Sequence, residues 1–235
     1  MKPYFVVALV AVVVGLLSRP LNFQPDDEYP RRQVVKIAGP HGMCSGEQVR
    51  APSGQTYILT AAHCRGFMDS TSNFTVVNED GLSIQRRFIA EDPNSDIMLI
   101  EGFPLLEGLK IAKESRAQTH LRTFTHGHNL DTYKTDGYAV MRQEFMTPMC
   151  ELADPACQCD MPKLKKIDMP GFLGPVSVCM LDTIQVAMTA RVVPGSSGGM
   201  VVNDKNELVG VISATDEFFG YITDVPEIQK FMAAY

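Results

Sequence analysis

The chain has 235 residues, of which 45 % are hydrophobic and 20 % charged, and a net charge of −6. That balance excludes a disordered chain, and an acidic chain without a basic cluster has no electrostatic footprint for nucleic acid. The length suits one large all-β domain or two small ones, and no repeat or low-complexity tract is present.

The first stretch, residues 1–18, places Lys2 ahead of an apolar run from Tyr4 to Leu17 that Arg19-Pro20 ends. The run is shorter than the roughly twenty residues of a membrane span, and its length matches a secretory leader. Leu16 and Ser18 make a poor cleavage signal, so an uncleaved N-terminal membrane anchor is the competing expectation. Either reading puts the following domain outside a reducing cytosol, secreted or membrane-anchored. Residues 19–33 are rich in proline and charge and read as a linker.

From Val34 onward, short apolar runs separated by Gly, Asn, Asp and Pro predict strands at 34–38, 55–61, 74–77, 82–90 and 97–100. This is the pattern of a meandering antiparallel barrel. A second series follows at 137–141, 176–180, 184–188, 200–202, 208–213 and 218–223. The tail from Pro226 spaces its apolar residues at three and four, which predicts a closing helix with Asp224 as N-cap.

Three motifs carry chemistry. Tyr57-Ile58-Leu59-Thr60-Ala61-Ala62-His63-Cys64 is an apolar strand that delivers a histidine. Ser95-Asp96-Ile97-Met98-Leu99-Ile100 sets an aspartate at the mouth of another strand. Val192-Val193-Pro194-Gly195-Ser196-Ser197-Gly198-Gly199 runs from one strand through a tight loop into Met200-Val201-Val202. Glycines there permit positive φ or a close backbone approach, so the N–H groups of Gly195 and Ser197 can converge on one point, as an oxyanion site requires. A serine nucleophile also needs a base and a carboxylate that orients the base. His63, Asp96 and Ser197 fill those roles on this reading. His41, His120, His126 and His128 compete with His63, Asp92 and Glu91 with Asp96, and Ser196 with Ser197. The pair His126-x-His128 reads as a solvated loop beside Gly127 rather than a metal site.

In this order, the three motifs resemble those of the chymotrypsin/trypsin-like serine proteases, across roughly residues 35–235. The resemblance implies two six-stranded antiparallel barrels, near 34–115 and 120–225, with the triad at their junction and a short C-terminal helix. It also implies a serine endopeptidase that acts on polypeptide through an acyl-enzyme and needs no cofactor or metal. Family members join the positions of Cys44 and Cys64 by a disulfide. The match implies that Ser213 supports Asp96 and that Ala214 and Thr215 continue a substrate-binding strand. It places Arg191 at the specificity-pocket floor, with Gly220 and Ile222 on the opposite wall. If Arg191 points inward it favours an acidic substrate side chain; if outward, the pocket is apolar. The chain departs from digestive zymogens in having no Ile-Val-Gly-Gly start and Ser196, not aspartate, before the nucleophile. In this it is closer to the HtrA-like, bacterial glutamyl and viral branches, whose oxyanion loop is held without activation cleavage. Two other readings stay open: a catalytically silent binding module, and a viral or phage processing protease that cuts its own precursor. Cys150, Cys157, Cys159 and Cys179 lack paired C-x2-C zinc spacing and are expected to form two disulfides of unassigned connectivity.

Overall fold

The structure, a computed structural model, describes residues 25–67, 72–114, 119–126, 132–151, 164–171, 174–215 and 219–235. Its first half is a closed six-stranded barrel. The strands are β1 (Val34–Gly39), β2 (Gly42–Arg50), β3 (Thr56–Thr60), β4 (Asn73–Asn78), β5 (Ser83–Asp92) and β6 (Ile97–Glu101). They run antiparallel in the order β1-β2-β3-β6-β5-β4, and β4 closes back on β1. β4 alternates as a half-buried strand should, with Phe74 and Val76 inward. β6 is buried at Ile97, Met98, Leu99 and Ile100 and accordingly reads as an unbroken apolar run.

The second half contains β7 (His120–His126), β8 (Thr132–Glu151), β9 (Leu164–Gly171), β10 (Gly174–Met188), β11 (Met200–Val202), β12 (Leu208–Thr215) and β13 (Gly220–Asp224). The order β13-β12-β11-β7-β8-β10 is closed into a second six-stranded ring by pairing of β10 with β13. β9 adds outside the ring, along β10. The two strands predicted at 176–180 and 184–188 are one continuous strand, β10, because β9 pairs with its first half and β8 stays paired across the predicted break, from Val178 to Met188. The closing helix spans Val225–Met232; Asp224 occupies its N-cap position, but its side chain makes no capping hydrogen bond.

One apolar cluster joins the barrels. Val34, Val49, Leu59 and Leu99 of the first meet Phe124, Met200, Val202 and Val211 of the second, with Ile228 and Met232 of the C-terminal helix among them. The connector between barrels bridges to both, through Val49–Leu109 and Ile111–Leu208 pairing.

The segment expected to be a linker is ordered from residue 25. Pro25–Asp27 forms a 3-10 turn and Glu28–Arg32 a helical turn, with Asp27 and Pro30 buried. The Asp27 carboxylate takes Arg122 Nη1 at 2.8 Å and Lys134 Nζ at 2.7 Å, both on the second barrel. On the first-barrel side, Gln33 Oε1 accepts the Gly108 N–H at 2.9 Å, and Arg31 pairs with Glu79 at 2.7 Å. A charged sequence hides this docking because its one buried carboxylate is matched by cations about a hundred residues away. Residues 1–24 lie outside the described residues, so the leader or anchor does too; among the described residues no helix is long and apolar enough to cross a membrane.

Candidate active site

His63 sits at the start of the 3-10 helix Ala62–Phe67, directly after β3. The disulfide Cys44–Cys64 ties that helix to β2. The imidazole side chain is 22 % exposed and Asp96 only 2 %, so one face of the ring reaches solvent while the carboxylate behind it does not. The Asp96 carboxylate accepts three donors: the His63 backbone N–H at 2.9 Å, His63 Nδ1 at 2.9 Å and Ser213 Oγ at 2.5 Å. With Nδ1 engaged as donor, Nε2 is left as the acceptor. Burial pulls the His63 pKa down, but the charge of Asp96 and its hydrogen bond outweigh that and leave it above the usual imidazole value.

Two backbone irregularities aim these groups. Asp96 has φ 51, the left-handed region that aspartate tolerates better than most residues at a cost of order 1 kcal/mol. This turns its carboxylate off the line of β6. Ser213 lies at a bulge: Ile212 pairs with Ile222 and Ala214 with Tyr221, so Ser213 is the extra residue. A bulge re-aims a side chain, and this one swings the hydroxyl onto Asp96. Neither irregularity has a signature in the sequence.

The loop bearing Ser197 docks beside them. The Ser197 carbonyl accepts the Ser45 N–H at 2.8 Å and lies 3.8 Å from Cys64 Sγ, next to His63. The Gly198 N–H donates to Ile212 O at 2.7 Å, next to Ser213. At Gly198, with φ 77, a Cβ would collide with Thr60 Oγ1 and the Ser45 carbonyl, so only glycine fits. Gly195 has φ 92. Among the described residues the N–H groups of Gly195 and Ser197 have no acceptor. Ser196, the alternative nucleophile, is buried and hydrogen-bonded to Thr125 Oγ1 at 3.1 Å.

Other expected site residues separate. Arg191 is exposed, and its carbonyl accepts Thr135 Oγ1 at 2.9 Å. Ile222 is 1 % exposed and packs with Val186, Val209 and Ile212 of the second barrel. Gly220 does face the loop: a Cβ there would press on Val192 and Met188. Ala214 is half-buried, and Thr215 Oγ1 donates to Phe219 O at 3.1 Å. His126, expected in a solvated loop, is buried at the end of β7; His128 lies outside the described residues. Cys44, His63 and Cys64 cluster as metal ligands would, but both thiols are consumed by the disulfide. Cys150 and Cys179 are register partners across β8 and β10, whereas Cys157 and Cys159 lie outside the described residues.

The sequence profile of the trypsin-like peptidase domain matches residues 42–211. No curated protein matches. Among solved structures, the chain resembles the Rv3671c protease from M. tuberculosis in its active form, at TM-score 0.64 and 19 % identity over 89 % of this chain and 83 % of that one. It resembles the HtrA-type protease AlgW with tripeptide, at TM-score 0.64 and 14 % identity over 89 % and 62 %. It also resembles a serine endoprotease from Yersinia pestis, at TM-score 0.62 and 15 % identity over 92 % and 67 %.

Proposed function

The chain belongs to the trypsin-like peptidase domain family and is a serine endopeptidase of that kind, and on that premise we propose that it cleaves polypeptide through His63, Asp96 and Ser197. His63 Nε2 takes the Ser197 Oγ proton as Oγ attacks the scissile carbonyl carbon. Asp96 holds the ring in the required tautomer and stabilises the imidazolium. The N–H groups of Gly195 and Ser197 receive the developing oxyanion. The imidazolium returns its proton to the leaving amine as the C–N bond breaks, and water, activated by His63, then hydrolyses the acyl-enzyme. The observation that carries this reading is the Asp96 carboxylate, buried and held by both His63 and Ser213.

The side chains packed at Gly220 support a preference for a short apolar substrate side chain. Val192 and Met188 pack at Gly220, and both are apolar. The Cys44–Cys64 disulfide supports an oxidising, extracytosolic compartment, in line with the leader-like residues 1–18.

The test uses protein beginning at residue 25, treated with a fluorophosphonate probe, with Ser197→Ala as control. Labelling at Ser197 that is lost in the mutant is the expected result, and a peptide library then reads the preferred side chain. A folded, disulfide-intact protein that takes no label would leave a binding module instead of an enzyme.

A further inference from the structure

The loop before Ser197 carries Ser196 where digestive enzymes have an ion-pairing aspartate, so something uncharged must hold the oxyanion backbone. Resting on the reading above, we propose that the hydroxyls of Ser45 and Ser196 are the positioning groups that lock the Gly195–Ser197 backbone in its oxyanion-ready form. Ser45, on β2, is fully buried. Its N–H donates to Ser197 O at 2.8 Å, its Oγ donates to Gly195 O at 3.0 Å, and its Oγ accepts the His126 N–H at 2.8 Å. A hydroxyl has one proton. Gly195 O at 3.0 Å takes it in preference to His126 O at 3.4 Å, and the His126 N–H fixes the rotor. Thr60 Oγ1 holds the Ser45 carbonyl at 2.7 Å.

Three successive peptide planes are held here, the first of them by the Ser45 hydroxyl. The Gly195 carbonyl is held by Ser45 Oγ and the Ser197 carbonyl by Ser45 N–H. Between them, the Ser196 carbonyl accepts the Gly199 N–H at 2.8 Å. In a trans peptide the N–H points opposite to its carbonyl, so this bond turns the Ser197 N–H the other way, toward the space where an oxyanion would form. Ser196 secures the loop from the far side: its Oγ donates to Thr125 Oγ1 at 3.1 Å and accepts the Val193 N–H at 3.3 Å. Ser45 belongs to the first barrel, and Thr125 and His126 lie on β7 of the second. One strand from each barrel clamps the loop without a charge, so its geometry needs neither a freed N-terminal amine nor a particular protonation state.

The experiment compares wild type with Ser45→Ala and Thr125→Val in the protein beginning at residue 25. Steady-state kinetics are read together with affinity for a peptide aldehyde, which forms the oxyanion, and for a product peptide, which does not. For Ser45→Ala, kcat should fall on the order of 10- to 100-fold, the scale of a small misplacement of reacting groups. KM and product affinity should stay near wild type, and aldehyde affinity should weaken in step with kcat. Thr125→Val should shift the same quantities in the same direction by less, and it decides the matter if Ser45→Ala does not fold. A folded Ser45→Ala enzyme with wild-type kcat and aldehyde affinity, whatever its melting temperature, overturns the proposal. Wild-type activity that survives Ser197→Ala would instead remove the catalytic reading on which the proposal stands.

Discussion

Two titratable residues, the half-buried His63 and the fully buried Glu47, make opposite demands on pH. With His63 as general base, kcat/KM should rise as pH climbs through a pKa above the ordinary imidazole value, because only neutral imidazole can accept the serine proton. The stabilising charged pair with Asp96 runs the other way: it is fully present below the ordinary imidazole pKa and is lost as pH rises through the raised one. Asp96→Asn removes both causes of the raised value, so the activity limb should move to lower pH while kcat drops on the order of 10⁴-fold; a pH–rate profile reads both. Glu47, on β2, is fully buried with neither carboxylate oxygen hydrogen-bonded, and burial alone pushes its pKa well above the usual carboxylate range. Burial thus favours its neutral acid form. The stability that goes with its proton is whole below the ordinary carboxylate pKa and declines as pH rises toward the raised one. Glu47→Gln should melt higher than wild type at pH 8 and show little gain at pH 4, as thermal melts would report. The triad candidates stand out in the sequence because each ends or begins an apolar run; Ser45 and Glu47 do not, since nothing local shows that a polar strand will be buried.

That polar strand is β2, which no apolar periodicity announces. Its Ser45, Glu47 and Gln48 are all fully buried, and Gln48 is accommodated by pairing its amide with Phe103, N–H to Oε1 at 2.9 Å and Nε2 to carbonyl at 3.1 Å. Satisfied polar groups can occupy a core, and the partners come from fifty-five residues away. The docked N-terminal turn, residues 25–33, escapes a sequence reading for the same cause. Asp27 faces Arg122 and Lys134, whose side chains are 9 % and 6 % exposed. Removing the anion would take from Arg122 and Lys134 the buried carboxylate they share, so Asp27→Ala should cost about 3–5 kcal/mol. Urea unfolding of Asp27→Ala, with a chain starting at residue 34 as a second case, measures it; unchanged midpoints in both would show that the segment is a passive tail.

The two barrels are one folding unit, because the cluster that includes Leu59, Leu99, Phe124 and Val211 belongs to both. Heat should produce a single transition with matching calorimetric and van't Hoff enthalpies. Phe124→Ala, which opens a cavity at that shared core, should lower stability by about 3–5 kcal/mol without splitting the transition. Two resolved transitions would show that the barrels melt independently.

Much of this molecule is written locally. Among the described residues, apolar runs mark eight of the thirteen strands close to where they lie, β1, β3, β4, β5, β6, β11, β12 and β13, because a strand with a buried face or two must be apolar at those positions whatever its neighbours are. Glycine at 198 and the His, Asp and Ser motifs are local too, since backbone space and reactive groups are properties of single positions. What the residues could not declare is every feature whose energy comes from a distant partner. The burial of β2, the docking of Asp27, the exposure of Arg191, the packing of Ile222 and the bulge that brings Ser213 to Asp96 all depend on contacts between residues far apart in the chain. A hydrogen bond or ion pair across the chain leaves no period in the sequence, so tertiary structure alone decides it.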